Sequence, residues 1–294
     1  MKRRISMIMA VILVLGVLGF FPGVSFAEKV VNLNKAGTVT ATYPADGDPN
    51  LILIKGNGKI EKLYWVKLSE ELGLGRKEVD YNLWDKEATI KFEKDVKFPD
   101  DSNYFFYTFK GDIILPDELD TSNVINMNNM FLSIKKANPN VSNWDTSNVK
   151  EMAEMFEEAK VANPDVSNWD TSNVTNMGSM FLKAIKANPD VSNWKTSKVT
   201  NMNSMFNGAT SADPDVSGWD TSSVTKMSSM FSGATSANPD VSNWDTSSVI
   251  DMYSMFYGAT SANPDVSGWD TSNVTNMKYM FSGATSANPD VSKW

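Results

Sequence analysis

Asp220-Thr221-Ser222-Ser223-Val224-Thr225-Lys226-Met227-Ser228-Ser229-Met230-Phe231-Ser232-Gly233-Ala234-Thr235-Ser236-Ala237-Asn238-Pro239-Asp240-Val241-Ser242-Asn243-Trp244 is one of seven 25-residue units that run without a gap from Asp120 to Trp294. A fixed period of this length marks a solenoid, in which each unit is one coil and buries its apolar side only on its neighbours. Within the unit, Val224, Met227, Met230 and Phe231 fall on one stripe of a helix. Asp220, Thr221 or Ser222 can cap its start, and Gly233 is placed to end it. In the three copies before Lys195 no glycine stands at that place, so their helices would end differently. Asn238-Pro239-Asp240 reads as a turn that delivers Val241 and Trp244 into a short strand. The expected coil is therefore strand, turn, short helix and loop, with the strands stacked as a parallel ladder at about 4.8 Å.

Every copy carries two Val, two Met, one Phe and one Trp at the same places, or 42 large apolar side chains across the seven. At roughly 1.5–3 kcal/mol for each one fully buried, these suffice for a core. The column Asn138, Asn163, Asn188, Asp213, Asn238, Asn263 and Asn288 is suited to satisfying backbone groups at the turn, coil upon coil.

Outward from the repeats, residues 28–119 are composed differently. Val39, Ala41 and Tyr43 alternate with Thr38, Thr40 and Thr42, the pattern of a half-buried strand. Leu51–Ile54, Ala88–Phe92 and Tyr104–Phe109 are further strand candidates, with a turn at Pro99-Asp100-Asp101. Lys62–Leu72 has helical spacing. The stretch is expected to form a small β-rich domain capping the stack, which such stacks require for solubility. A ligand-binding head is the other reading.

Residues 1–27 begin Met1-Lys2-Arg3-Arg4 and continue with the apolar run Ile5–Phe21. Pro22-Gly23 and the small residues Ser25 and Ala27 favour a secretory signal peptide cut after Ala27 over a membrane anchor. No later apolar run is long enough to span a bilayer, so the mature chain is expected to be secreted or on the cell surface, without a membrane span.

Composition excludes several classes of function. There is no His and no Cys, which removes disulfides, Cys/His metal sites, thiol nucleophiles and imidazole catalysis. Formal net charge is −8, and because the first 27 residues contribute +3 the remainder carries −11, which gives no basic footprint for nucleic acid. Three residue sets invite sharper readings. The Met-x-x-Met pairs resemble a copper(I) thioether arrangement, but they share the apolar stripe and are read as core. The Asp columns, one through Asp165, Asp190, Asp215, Asp240, Asp265 and Asp290, have the chemistry of calcium ligands, yet Asp beside Pro or before Thr-Ser is ordinary turn chemistry. No cofactor and no resident metal are expected. Tyr253, Tyr257 and Tyr279 stand off the apolar stripe, and Tyr253 and Tyr257 would share one helix face. Exposed aromatics of this kind anchor protein or glycan contacts, so these three are the candidate binding residues. No singular carboxylate pair stands out for glycoside hydrolysis, and an enzyme is not expected.

The composite Val-x-x-Met-x-x-Met-Phe-x-Gly-Ala, followed by Asn-Pro-Asp-Val-Ser-x-Trp-Asp-Thr-Ser, resembles the BspA-like leucine-rich repeat surface proteins of bacteria. The lead-in Val96–Ser102, through Leu119 to Ser122, is also similar to that family's approach to its repeats. The resemblance implies an exported, leucine-rich-repeat-like α/β solenoid, with adhesion to a host or matrix protein, a glycan or a neighbouring cell. The chain departs from the family in carrying no Leu-Pro-x-Thr-Gly sorting signal. It also lacks a distinct cap after Trp294, so that end is expected to be apolar and open to end-to-end stacking. A structural spacer displaying residues 28–119, or an exported enzyme seated in that segment, are the alternative functions.

Overall fold

The structure, a computed structural model, describes residues 27–61, Leu72 and residues 87–294. The leader expected over residues 1–27, Ala27 apart, and the helix expected before Leu72 lie outside the described residues.

The alternating and β-branched segments of the N-terminal part pair as strands. They are β1 (Lys29–Asn32), β2 (Val39–Tyr43), β3 (Leu51–Gly56), β4 (Gly58–Lys59), β5 (Thr89–Phe92), β6 (Val96–Lys97) and β7 (Ile113–Ile114). Five of them form one sheet in the order β1-β2-β3-β5-β7, and β4 pairs with β6. β1, β2 and β3 run antiparallel, whereas β3, β5 and β7 run parallel, as do β4 and β6. Gly56 lets the chain turn at the end of β3. Its φ is +118°, and a Cβ there would lie 1.9 Å from the Thr38 carbonyl oxygen. The strands expected at Val39–Tyr43, Leu51–Ile54 and Ala88–Phe92 are present. The strand expected at Tyr104–Phe109 is not: Tyr104 and Thr108 have φ of 58° and 55°, and the segment is a run of turns.

The expected α/β coil, with a strand and a helix in each repeat, is corrected by the structure. No helix forms in the repeats; each coil consists of turns plus a single bridge residue. The coil Asp170–Trp194 shows how. The Met177, Ser179, Phe181 and Lys183 N–H groups donate forward to carbonyls of the next coil, on Asn201, Asn203, Met205 and Asn207, at 2.6–3.0 Å. The N–H groups in between stay inside the coil: Met180 donates to Met177, Leu182 to Ser179 and Ala184 to Phe181. Alternate amides thus make a parallel ladder, and the others close i→i+3 turns. Parallel bridges join Asp101, Asn126, Glu151, Asn176 and onward to Asn276. A helix this short is marginal alone. Asn, Ser and Gly at the turning positions favour turns over helix, and the neighbouring coil offers carbonyls to every outward N–H. The strand expected at Val241–Trp244 is likewise a turn, in which the Trp244 N–H donates to the Val241 carbonyl at 3.2 Å.

The turn run needs left-handed backbone twice per coil. Ser179 and Lys183 have φ of 57° and 55°, and Gly233 occupies the second of these places in its own coil, at 67°. Gly233 therefore serves a turn and ends no helix. Glu158 and Ser133 adopt the same conformation without glycine.

The apolar columns are buried. At the repeating places, Val, Met and Phe of the coils from Asp120 to Trp269 are at most 1% exposed, and the Trp side chains 3–5%. Phe rings stack coil on coil with centroids 5.2–5.7 Å apart from Phe106 to Phe281. The Trp rings stack at 6.3–6.4 Å from Trp144 to Trp294. The polar columns are satisfied in the same manner. The Asn163 N–H donates to Asn138 Oδ1 at 2.9 Å and the pattern continues to Asn288, as the sequence column led us to expect. Buried Thr171 donates its hydroxyl to the Lys195 carbonyl, with an equivalent bond in the neighbouring coils.

The ladder reaches back one coil beyond Asp120. Tyr104, Phe106 and Thr108 donate to Asn128, Met130 and Leu132, and Phe106 stacks on Phe131 at 5.2 Å. Phe92, Phe98 and Phe105 join this ring cluster, so a single apolar core runs from the sheet into the coils.

One indole breaks the rule. Each Trp from Trp169 onward donates Nε1–H to the Val carbonyl 28 residues earlier, as Trp219 does to Val191 at 3.1 Å. Trp144 Nε1 is buried and has no acceptor. Trp219→Phe should therefore cost about 1–2 kcal/mol more than Trp144→Phe, because only the first loses a buried hydrogen bond. Urea unfolding of the two variants measures the difference.

Candidate functional site

The ladder side of the coils presents the side chains that differ most between copies. Tyr104 and Tyr107 lie at its N-terminal end. Glu154, Glu157 and Glu158 follow, then small residues such as Ser204, Gly208, Ser229 and Gly233, and finally Tyr253, Tyr257 and Tyr279. The three candidate tyrosines are 39%, 49% and 60% exposed. Tyr253 and Tyr257 share no helix, since none forms in the repeats. Tyr253 instead meets Tyr279 of the next coil edge to face, with ring centroids 5.9 Å apart. Their backbone carbonyls belong to the ladder: those of Tyr253 and Tyr257 accept from the Ser229 and Gly233 N–H groups at 2.7 Å.

The sequence reading missed a second aromatic pair. Tyr104 and Tyr107 pack edge to face at 5.4 Å, and Tyr104 is 47% exposed. Burial, with the Glu154 carboxylate close by, raises the Tyr104 phenol above its ordinary range. The repeat spacing held the signal, because Phe106 precedes Phe131 by one period and so places Tyr104 level with Asn129 and Glu154.

The charges nearby are unevenly matched. Burial pushes the Glu157 carboxyl up, and Glu154 and Glu158 add to the effect. Glu158 is held by Lys183 Nζ at 2.9 Å, which lowers its own carboxyl. Lys136 pairs with Glu87 at the same end of the chain.

The Asp columns are bound up in turns. Asp190 Oδ1 accepts from the Ser192 N–H at 3.1 Å and from its hydroxyl at 2.7 Å, and Asp165, Asp215, Asp240 and Asp265 do the same with their own Ser. Hydrogen bonding from the Ser hydroxyl depresses these carboxyls. Asp120 is lowered furthest, to about 2, first by its hydrogen bond with Lys97 and then by Ser122. Among the described residues no group of three acidic side chains is placed to hold a metal ion. The Met pairs of the coils from Asp120 to Trp269 are fully buried, which makes their thioethers packing groups.

These shifts set an acid dependence. A carboxyl depressed in the folded chain stabilises fully above its unfolded pKa and loses that contribution as pH falls through the folded value. The raised Glu157 acts in the opposite sense, but it stands against many depressed aspartates. The melting temperature should therefore fall below about pH 4 and continue to fall toward pH 2, where Asp120 titrates. A calorimetric pH series measures it. Glu157→Gln should raise stability at neutral pH, by removing a carboxylate whose charge the fold disfavours.

Among the described residues no helix is long and apolar enough to cross a membrane. No curated protein and no solved structure matches the chain. Residues 100–218, and again residues 183–294, match the family described as a Mycoplasma protein of unknown function, DUF285; the matched span covers more than half of the chain, which belongs to that family.

Proposed function

We propose that the protein is an exported bacterial surface protein of the BspA-like kind, without enzymatic activity, whose coil stack binds a protein, glycan or neighbouring cell through its ladder face. One observation carries this reading. The buried Val, Met, Phe and Trp columns are the same in every copy, while variety is concentrated on the exposed ladder side. A purely structural stack needs the invariant columns but has no use for unlike side chains on one face. Tyr253, Tyr257 and Tyr279 are the contact residues of this proposal. They supply rigid amphipathic surface at low entropic cost, and shallow contacts over several coils add up to useful affinity.

The test uses the chain from Glu28 onward on immobilised matrix proteins, glycans and intact cells. The triple variant Tyr253→Ser, Tyr257→Ser, Tyr279→Asn should bind at least about tenfold more weakly. Asn is chosen at 279 because φ there is 61°, a conformation Asn tolerates. Failure of the wild-type chain to bind any of these surfaces overturns the adhesive reading. Unchanged affinity in the triple variant overturns the assignment of the tyrosines. Export predicts a secreted product beginning at Glu28, which N-terminal sequencing reads directly.

A further inference from the structure

We infer that the ladder face grips one neutral, linear polysaccharide chain at two tyrosine platforms, one on the coil before Asp120 and the other on the coils of Tyr253 and Tyr279. The inference rests on the binding role proposed for this face and names the class of partner.

The two platforms occupy equivalent places. Tyr279 follows Tyr104 by 175 residues, which is seven periods of 25. At about 4.8 Å per coil, the two therefore stand about 34 Å apart along the ladder. Each meets a second tyrosine edge to face, Tyr104 with Tyr107 at 5.4 Å and Tyr279 with Tyr253 at 5.9 Å. Tyr104 and Tyr279 nevertheless remain 47% and 60% exposed. Both also sit in left-handed backbone, at φ of 58° and 61°. The six coils between them fill that place with Asn129, Glu154, Ser179, Ser204, Ser229 and Ser254, so the turn does not call for an aromatic residue. A bulky side chain is unfavourable in this conformation, and burial in the core does not account for either ring. Strained and exposed groups of this kind collect at binding sites.

The class of partner follows from what lies around and between the platforms. An extended peptide docks on a sheet through main-chain hydrogen bonds. On this face those groups are already spent between coils, as where the Ser229 and Gly233 N–H groups donate to the Tyr253 and Tyr257 carbonyls. A peptide laid across it would find no main-chain partners. A sugar chain needs none. Its C–H faces pack on tyrosine rings. Its hydroxyls, which both donate and accept, match the half-buried Ser204, Asn207, Ser229 and Ser232 that stand between Lys183 and Tyr253. Charge decides the kind of sugar. Glu154 and Glu157 lie near Tyr104 and repel a polyanion, whereas Lys278 stands next to Tyr279 and disfavours a polycation. A neutral chain long enough to touch both platforms gains from the second contact without a second encounter.

The experiment screens the chain from Glu28 on immobilised linear glucans, mannans and N-acetylglucosamine polymers, with hyaluronan as the anionic control. Calorimetry then compares a tetrasaccharide of the polymer that binds, too short to reach between the platforms, with a chain of about twelve sugars, which reaches both. The long chain should bind at least tenfold more tightly, one per protein, and the tetrasaccharide should bind two per protein. Tyr104→Asn and Tyr279→Asn, in which Asn tolerates the backbone, should each bring the long chain to within about threefold of the tetrasaccharide. Each should also reduce the tetrasaccharide to one per protein, with the unfolding midpoint retained. Affinity independent of length, or a long chain indifferent to Tyr104→Asn, would overturn the two-platform grip. Hyaluronan bound as tightly as the neutral polymers would overturn the charge argument. Binding to matrix proteins or cells but to none of these polymers defeats this inference alone, while absence of all binding defeats the adhesive reading with it.

Discussion

Phe181→Ala should lower the unfolding free energy by about 3–5 kcal/mol, the range for removing a fully buried aromatic side chain. Phe181 is 0% exposed and stacked between Phe156 and Phe206 at 5.6 Å on each side. The site has little freedom to collapse around the void. The Phe181 N–H donates to Met205 in the next coil, and the Ala184 N–H donates to the Phe181 carbonyl, so the backbone is tied in both directions. In a stack of this kind stability is nearly a sum of unit and neighbour terms. One weakened pair of interfaces in the middle should therefore also broaden the transition, as the two halves begin to unfold separately. The same substitution at Phe281, which is only partly buried, should cost clearly less. Urea unfolding monitored by Trp fluorescence measures both effects, and equal losses at the two positions would contradict the neighbour-stacking account.

Ser179→Pro and Ser179→Gly should differ sharply in their effect on stability. Ser179 sits at φ 57° and its N–H donates to the Asn203 carbonyl at 2.7 Å. Proline fixes φ near −65° and has no N–H, so it removes a ladder bond and demands a backbone the turn run cannot adopt; the loss should be about 3 kcal/mol or more. Glycine keeps the N–H and accepts positive φ without steric cost, offsetting its greater unfolded-state entropy, so its effect should lie within about 1 kcal/mol of neutral. If a helix formed here, proline would still be harmful, but glycine would cost about 1 kcal/mol. Neutral or increased stability in the glycine variant is thus the outcome that separates turns from helix in solution.

That contrast also marks what the sequence could and could not reveal. The 25-residue period, the buried columns and the Asn ladder were legible because each depends only on residue type recurring at a fixed interval. The helix was misread because Val174, Met177, Met180 and Phe181 have spacings that a helix and a chain of i→i+3 turns share. What separates the two is where alternate N–H groups go, and their acceptors lie one coil away. Left-handed φ at Glu154 and Lys183 is carried by residues that give no warning of it. The coil before Asp120 was hidden for a different reason. Ser102, Phe105, Phe106 and Phe109 fill places that Met127, Met130, Phe131 and Ile134 occupy in the next coil, so the shape persists while the motif is lost. With that coil unrecognised, Tyr104 and Tyr107 could not be placed on the same face as Glu154. The later tyrosines were found as exposed groups, but their pairing across coils depends on the ladder.

The unequal ring spacings have a geometric consequence. Equivalent atoms in successive copies are carried into one another by the same screw motion, and the distance each travels grows with its distance from the screw axis. The step is about 4.8 Å along a parallel ladder, 5.2–5.7 Å at the Phe column and 6.3–6.4 Å at the Trp column. Successive coils are therefore rotated as well as translated, with the ladder nearest the axis and the indoles farthest from it. Side chains on the ladder face are crowded toward one another from coil to coil, while those beyond the indoles are spread apart. On the binding role proposed for the ladder face, a partner held on the inner side would meet more coils per unit length than one held outside, and the winding of the stack would itself contribute to avidity.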